Sequence, residues 1–408
     1  MTAPPDATVL RFNTATVDDR MPPANRHKEE HVKDHDQTGP PEPTRPKPRS
    51  RREMPTRRTV LGAAAIAGIT AAGAGAYAWA GDRLPSDRLT PAKFTDRFEQ
   101  LSGVHDGFRR NHAKGVSASG TFVSNGAGVK LSSAAVFASG STPVTARFSL
   151  SGGLPAVADA NATARGFAVL FHLSNGEQWR TAMINLPVFP DSVPQGFYDR
   201  QLATAPVPAT GQPDPVKVAA FLAAYPKTAR AMALVKKTPP AGDFSNSTFR
   251  GLNAFYFTNQ AGKSIPVRWS LVPEEPSRPG PKAPQADHDY LFNALIERVR
   301  SGPVRWHLMI TLGAPGDPTH DATVPWPAGR PQIDVGTLTI DALQTEEAGN
   351  ARDINFDPLI LPQGISPSDD PLLTARSAVY AQSYRRRTRE AQQPSKVDVQ
   401  EVEAGHDH

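Results

Sequence analysis

Between Gly115 and about Leu186 the chain runs through short segments that alternate apolar and polar residues, a period of two that strongly restricts its fold. Val116 to Val123, Val144 to Leu150, Gly166 to Leu173 and Trp179 to Val188 read as strands. Ser124-Asn125-Gly126 and Ser174-Asn175-Gly176 read as hairpin turns, because Asn and Gly tolerate left-handed backbone. After Phe197 the spacing changes to three and four, which predicts helices over Val216 to Ala224 and Pro226 to Val235. Strands are expected again at Ser247 to Phe257, Val267 to Val272, Val304 to Leu312 and Ile333 to Ile340, with helices at Tyr290 to Arg300 and Pro371 to Arg389. Strands and helices do not alternate regularly, which argues against a parallel sheet. The expectation is an α+β domain built around a closed antiparallel β-barrel with peripheral helices. The sequence contains no internal repeat, phosphate-cradling glycine loop or dinucleotide fingerprint.

At 408 residues the chain has room for one or two domains once its ends are set aside. It has no cysteine, and so no disulfide framework, thiolate ligand or cysteine nucleophile. The net charge of +5 is mild, and its excess sits in the N-terminal arm and at Arg385-Arg386-Arg387, which disfavours nucleic-acid binding. Residues 1–56 are rich in Pro and charge and poor in large apolar side chains, so disorder is expected there. His27, His31 and His35 share a spacing of four, but a solvated tail is the simpler reading than a metal site. Arg57-Arg58 ahead of the uncharged Ala/Gly-rich stretch 60–80 resembles a twin-arginine export signal, with Ala78-Trp79-Ala80 as a cleavage site. The alternative is an uncleaved membrane tether through 60–80. Either way the body would be periplasmic or otherwise extracytoplasmic. The expected division is 1–56 disordered, 57–81 signal or anchor, 85–389 folded domain and 390–408 flexible tail.

Arg376 and Tyr380 lie four apart and share one helix face, so a guanidinium can stand beside a phenol. A nearby cation favours the phenolate, and a tyrosine phenolate is one of the known axial ligands of haem iron. The whole run from Phe356 to Tyr380 resembles, without a gap, the proximal signature of haem catalases. Arg109-Arg110-Asn111-His112-Ala113-Lys114-Gly115 is similar to the distal-histidine motif of the same family. The resemblance implies haem b as cofactor, Tyr380 as the iron ligand, and His112 as the group that moves a proton from the inner to the outer oxygen of peroxide. It also implies that Arg109, Arg147 and Arg387 meet the haem propionates, that Ser149 orients His112, and that Phe197 stacks on the haem. Arginine suits carboxylates through its rigid fork.

Two departures stand out. The family pattern Asn-Asn-Thr-Pro appears here as Ile184-Asn185-Leu186-Pro187, so the position of the peroxide-polarising amide is Ile184 and only Asn185 keeps an amide. A one-residue offset in a strand aims a side chain to the opposite face. The resemblance covers about 85–389, including Asp289 to Ala294, and stops short of the C-terminal flavodoxin-like or helical extensions of full-size catalases. It is similar to the small catalase-related peroxidases. The function expected is therefore an exported haem peroxidase that uses hydrogen peroxide or organic hydroperoxides to oxidise an organic donor, with minor catalase activity, as a monomer or homodimer. The alternatives are a haem enzyme that rearranges lipid hydroperoxides and a non-catalytic carrier of haem or an apolar ligand.

Overall fold

The computed structural model describes residues 88–162, 164–238, 242–275 and 287–404. The expected N-terminal arm at 1–56, the expected signal or anchor at 57–81 and the final Gly405-His406-Asp407-His408 lie outside the described residues. Among the described residues ten strands form one sheet: β1 Gly115–Ser124, β2 Gly140–Leu150, β3 Arg165–His172, β4 Gln178–Ile184, β5 Phe249–Arg250, β6 Phe255–Thr258, β7 Ser264–Pro273, β8 Val304–Leu312, β9 Gln332–Gln344 and β10 Ile365–Pro367. Their order is β10-β6-β7-β5-β4-β3-β2-β1-β9-β8, and β7 also pairs with β8. That last pairing closes the sheet into an antiparallel barrel, with β6 and β10 as an extension beside it. Among the described residues seven helices surround it: α1 Pro91–Ser102, α2 Pro194–Ala203, α3 Pro215–Ala224, α4 Pro226–Lys237, α5 Tyr290–Arg300, α6 Pro371–Arg387 and α7 Val399–Ala404.

The period-two pattern sets the two faces of the barrel wall. Phe148 on β2, Phe167 on β3, Phe171 on β3, Trp179 on β4 and Phe249 on β5 are all buried in the barrel interior. Phe148 and Phe167 stack at 4.1 Å, and Phe171 stacks on Trp179 at 4.8 Å. An aromatic filling of this kind leaves no lumen for a ligand. The alternate residues, Arg147, Ser149, Gly166, Ala168, Ala182, Ile184 and Arg250, therefore face outward, beneath the helices. The functional site lies there, outside the barrel.

The structure corrects several sequence expectations. Residues 125–139 between β1 and β2 are no tight turn, since they carry 3-10 turns at Ala127–Lys130 and Ala135–Phe137. Ser174-Asn175-Gly176 does turn between β3 and β4, with Gly176 at φ 81°. The strand expected over Ser247 to Phe257 breaks into β5 and β6, because Leu252 takes φ 62° between them. β4 stops at Ile184, short of Val188. The tail expected after 389 is partly folded: α7 forms, and Val397 and Val399 are buried in the main core. Among the described residues no helix is long and apolar enough to cross a membrane.

Candidate functional site between the barrel wall and helix α6

Helix α6 begins with strong local signals. Asp370 caps it by accepting from Leu372 N at 2.9 Å, and Pro371 occupies the first turn. Positions 376, 380, 384 and 387 recur at helical spacing, and all four residues line one cavity of about 540 Å³. The barrel wall closes the opposite side through Arg147, Ser149, Gly166, Ala168, Ala182 and Ile184. Phe94, Phe98 and Leu101 of α1 and Phe197 of α2 line it as well. Among the described residues no group of three or more His, Asp or Glu side chains gathers as a metal-binding cluster.

On the helix side, Arg376 Nη2 donates to Tyr380 Oη at 3.4 Å and to the carbonyl of Ala182 at 3.0 Å. Its Nη1 donates to Asn253 Oδ1 at 2.5 Å, and Asn253 Nδ2 donates to Asp370 Oδ2 at 2.8 Å. Phenol, guanidinium, amide and carboxylate thus form one chain, buried at its Asn253 and Asp370 end, that fixes the Arg376 fork against Tyr380. Asn253 and Asp370 were not expected from the sequence. A lone Asn after a broken strand and an ordinary helix cap carry no signal of such a role.

On the barrel side, His112 stands just before β1 with φ 58°, the left-handed region that His enters more readily than most residues. Asn111 Oδ1 accepts from His112 N at 3.0 Å, and Arg147 Nη1 donates to His112 O at 2.9 Å, holding that turn. The ring comes back over the wall so that Nδ1 lies 3.1 Å from Ser149 Oγ. Gly166, cross-strand from Ser149, makes room for it: a Cβ there would meet Ser149 Oγ at 2.8 Å and His112 Nδ1 at 3.0 Å. Burial, then the charges of Arg147, Arg109 and Arg376, push the imidazole down to a pKa of about 3. His112 is therefore a neutral base at physiological pH.

At one end of the cavity, Arg109, Arg147 and Arg387 come together. Arg147 forms a bidentate pair with Glu346 at 2.7 Å for each bond, and Arg109 Nη1 reaches the same carboxylate at 3.2 Å. Arg109 Nη2 donates to the carbonyls of Ala351 and Ile354 at 2.8 and 3.0 Å, while Arg387 Nη1 donates to Arg352 O at 2.5 Å. Gly115 permits the crossing of Arg147, because a Cβ there would lie 2.5 Å from its Cζ. Glu346 is buried, which pushes its carboxyl up, yet the arginines overcome this and hold it at about 2. Burial and the neighbouring Arg147 and Arg387 push Arg109 well below the usual arginine range. Three guanidiniums against one carboxylate leave two uncompensated positive charges in a buried place. Glu346, in an unremarkable acidic pair after β9, was not expected from the sequence.

Seven residues singled out from the sequence line this cavity: His112, Arg109, Arg147, Phe197, Arg376, Tyr380 and Arg387. Phe197 packs against Phe94, Phe98 and Phe189 with ring centroids 6.1 Å apart in each case. Asn185 is the exception among the polar candidates. Its Oδ1 accepts from Arg165 N at 2.9 Å and its own N–H donates to Arg165 O at 3.0 Å, so its amide seals the end of β3 and β4. Ile184 lines the cavity in its place.

The model of the catalase family matches residues 100–404. The chain belongs to the catalase family. It is 41% identical over 303 residues to a catalase-related peroxidase of Synechococcus elongatus, covering 74% of this chain and 89% of that one. It is 33% identical over 307 residues to a catalase-related peroxidase of Mycolicibacterium paratuberculosis, covering 74% and 96%. Its fold matches Saccharomyces cerevisiae catalase A with a TM-score of 0.60 at 22% identity, over 69% of this chain and 61% of the yeast chain. The catalase-family barrel thus places its wall opposite α6, while the chain spans only about three fifths of that full-size enzyme.

Proposed function

We propose that this catalase-family protein is a haem-dependent peroxidase that reduces hydrogen peroxide or an organic hydroperoxide at the expense of an organic donor. The class, an oxidoreductase with peroxide as acceptor, accords with the catalase-related peroxidases it resembles. The observation that carries the reading is one cavity with an imidazole on its barrel wall and a phenol–guanidinium pair on the helix side.

The donor set fits haem b on three counts. Two uncompensated positive charges among Arg109, Arg147, Arg387 and Glu346 match its two propionates. Tyr380 offers a phenol oxygen beside the Arg376 cation, the partner a metal-bound phenolate needs. Phe197 and Ala168 supply apolar lining. When bound, the haem would supply the redox centre at which the O–O bond breaks.

The chain's own residues supply the rest. His112, neutral and held at Ser149, accepts the peroxide proton from the inner oxygen at its free ring nitrogen and returns it to the departing outer oxygen. The departing fragment leaves as water from hydrogen peroxide, or as an alcohol from an organic hydroperoxide. Two electrons and two protons from the donor release the remaining oxygen as water and complete the reduction. Ile184 gives no amide to polarise a second peroxide, so donor oxidation outweighs disproportionation. Export through the twin-arginine segment, and a monomeric or dimeric state, belong to the same proposal on sequence grounds.

A second reading, rearrangement of lipid hydroperoxides, is supported by the apolar side formed by Phe94, Phe98 and Leu101. Product analysis separates the two: oxidised donor for a peroxidase, an isomer of the hydroperoxide for a rearranging enzyme.

The test is an absorbance spectrum of the full chain after hemin reconstitution, for the parent and for Tyr380→Phe. The parent should hold haem with a high-spin ferric spectrum and a tyrosinate charge-transfer band, and Tyr380→Phe should lose haem on gel filtration. A colourless parent, or a Phe variant with an unchanged spectrum, refutes the assignment.

A further inference from the structure

Arg250 is a cavity-lining guanidinium that the scheme above leaves unused. Its position follows from strand register. Ser149 pairs with Gly166, Gly166 with Ile184, and Ile184 with Arg250, so these four residues form one row across β2 to β5. Directly opposed residues in antiparallel strands point to the same face. Arg250 therefore faces the side on which His112 lies over Gly166, two strand spacings or about 10 Å further along. Its neighbour Phe249 points inward and packs on Phe148 and Phe167.

The surroundings of Arg250 differ from those of four other cavity arginines. Arg109 and Arg147 share Glu346, Arg110 pairs with Glu99 and Glu390, and Arg200 pairs with Asp191. Arg250 has no carboxylate partner among the described residues, and its bond to Thr248 O is long at 3.5 Å. Burial lowers its pKa with no acidic group to offset it. Ile184, Leu186, Leu252 and Leu372 line the same cavity. The haem propionates are already met elsewhere: Arg147 on β2 lies three strand spacings, about 14 Å, from Arg250 on β5. A cation so placed, beside apolar walls, is suited to an anionic group on an otherwise apolar molecule.

We propose that Arg250 forms a second anion subsite that receives the carboxylate of an apolar organic acid, carried by either the hydroperoxide or the donor. This rests on the peroxidase reading for its catalytic meaning, but binding at Arg250 does not require iron. Selectivity for acids over their esters would follow, because an ester leaves the half-buried guanidinium unpaired.

The test uses the full chain, with and without haem, and isothermal calorimetry with decanoate and 1-decanol. Decanoate should bind at least about tenfold more tightly than decanol, and Arg250→Gln should abolish that preference while Arg250→Lys keeps part of it. Equal binding of the two probes to the parent overturns the subsite and needs no variant. Retention of the preference in a folded Arg250→Gln protein overturns it too. Kinetics then locate the carboxylate. A KM advantage of linoleic acid hydroperoxide over its methyl ester that is lost in Arg250→Gln places it on the peroxide. The same pattern for a carboxylated phenol against its ester places it on the donor. A chain that binds decanoate but refuses hemin would leave the subsite standing and remove the peroxidase, whereas an active haem enzyme indifferent to decanoate would do the reverse.

Discussion

Gly166→Ala tests whether the placement of His112 is what activates peroxide. The added Cβ would stand 2.8 Å from Ser149 Oγ, 3.0 Å from His112 Nδ1 and 3.1 Å from His112 Cε1. Optimal contacts between such atoms lie near 3.5–4.0 Å, so ring and hydroxyl must retreat by roughly 0.5–1 Å. The stability cost of overpacking is about 1–3 kcal/mol. A catalytic group misplaced by about 1 Å loses up to roughly 10²-fold in rate, or about 2.7 kcal/mol of barrier. The measurement is stopped-flow absorbance of the haem-loaded enzyme mixed with hydrogen peroxide, read as the second-order rate of the first spectral change. Gly166→Ala should slow that step by about 10- to 100-fold while retaining its haem band. Gly329→Ala is the control, since its Cβ meets nothing within 4 Å. A Gly166→Ala enzyme that reacts at the parent's rate, with haem and melting temperature intact, would refute the positional role of the ring.

His112→Ala should go further, leaving haem bound while the same step slows by about 10²- to 10⁴-fold, the usual range for a lost general acid–base; parental reactivity would remove His112 from the mechanism. Acid stability gives an independent handle. The folded pKa of His112 is about 3, below the ordinary value of 6.5. The unfolded chain therefore binds this proton first as pH falls from 6.5 towards 3, and stability drops by up to about 1.4 kcal/mol per pH unit in that window. Glu346, held at about 2 against an ordinary 4.5, adds stability that is present above 4.5 and lost towards 2. In the apo protein, chemical denaturation at pH 7, 5 and 4 should show a shallower acid loss for His112→Asn than for the parent; parallel curves would contradict the buried neutral imidazole.

The two chemical ends of the site were visible in the sequence because each is local. Arg376 and Tyr380 sit one helical turn apart, and Arg109 with His112 lies within a single loop, so motif spacing alone brings them near one another. The barrel was legible for the same reason, since alternation along β2, β3 and β4 is a property of each strand. What escaped is what only tertiary folding joins. Glu346 meets Arg147 across 199 residues, and Asn253 meets Arg376 across 123. Neither acquires meaning until the sheet closes. The break between β5 and β6 was hidden because the left-handed residue is Leu252, at φ 62°, and a single Gly251 inside an apolar run does not by itself end a strand. The folded stretch around Val397 and Val399 was missed because two valines in a polar segment show no helical period.

The exchange of an amide for Ile184 separates two steps that a full distal site combines. Cleaving the O–O bond requires a proton moved from one oxygen to the other, the role proposed for His112. Disproportionation also requires a second peroxide to be held and oriented at the same place, which calls for a donor beside the imidazole. Ile184 lines the cavity directly cross-strand from Gly166, on the face where His112 lies, so its replacement by Asn would put an amide there. Asn185 does not take that place: it is absent from the cavity lining, and the bond from Arg165 N to its Oδ1 at 2.9 Å fixes its amide at the end of β3 and β4. Ile184→Asn should therefore raise oxygen release from hydrogen peroxide by about tenfold or more, the worth of one well-placed hydrogen bond to a polar substrate, and lower donor oxidation at high peroxide. An oxygen electrode and a donor-oxidation assay on the same haem-loaded sample give both numbers. If oxygen release stays at the parent's level with the amide in place and the haem spectrum unchanged, the apolar distal wall is not what disfavours catalase turnover.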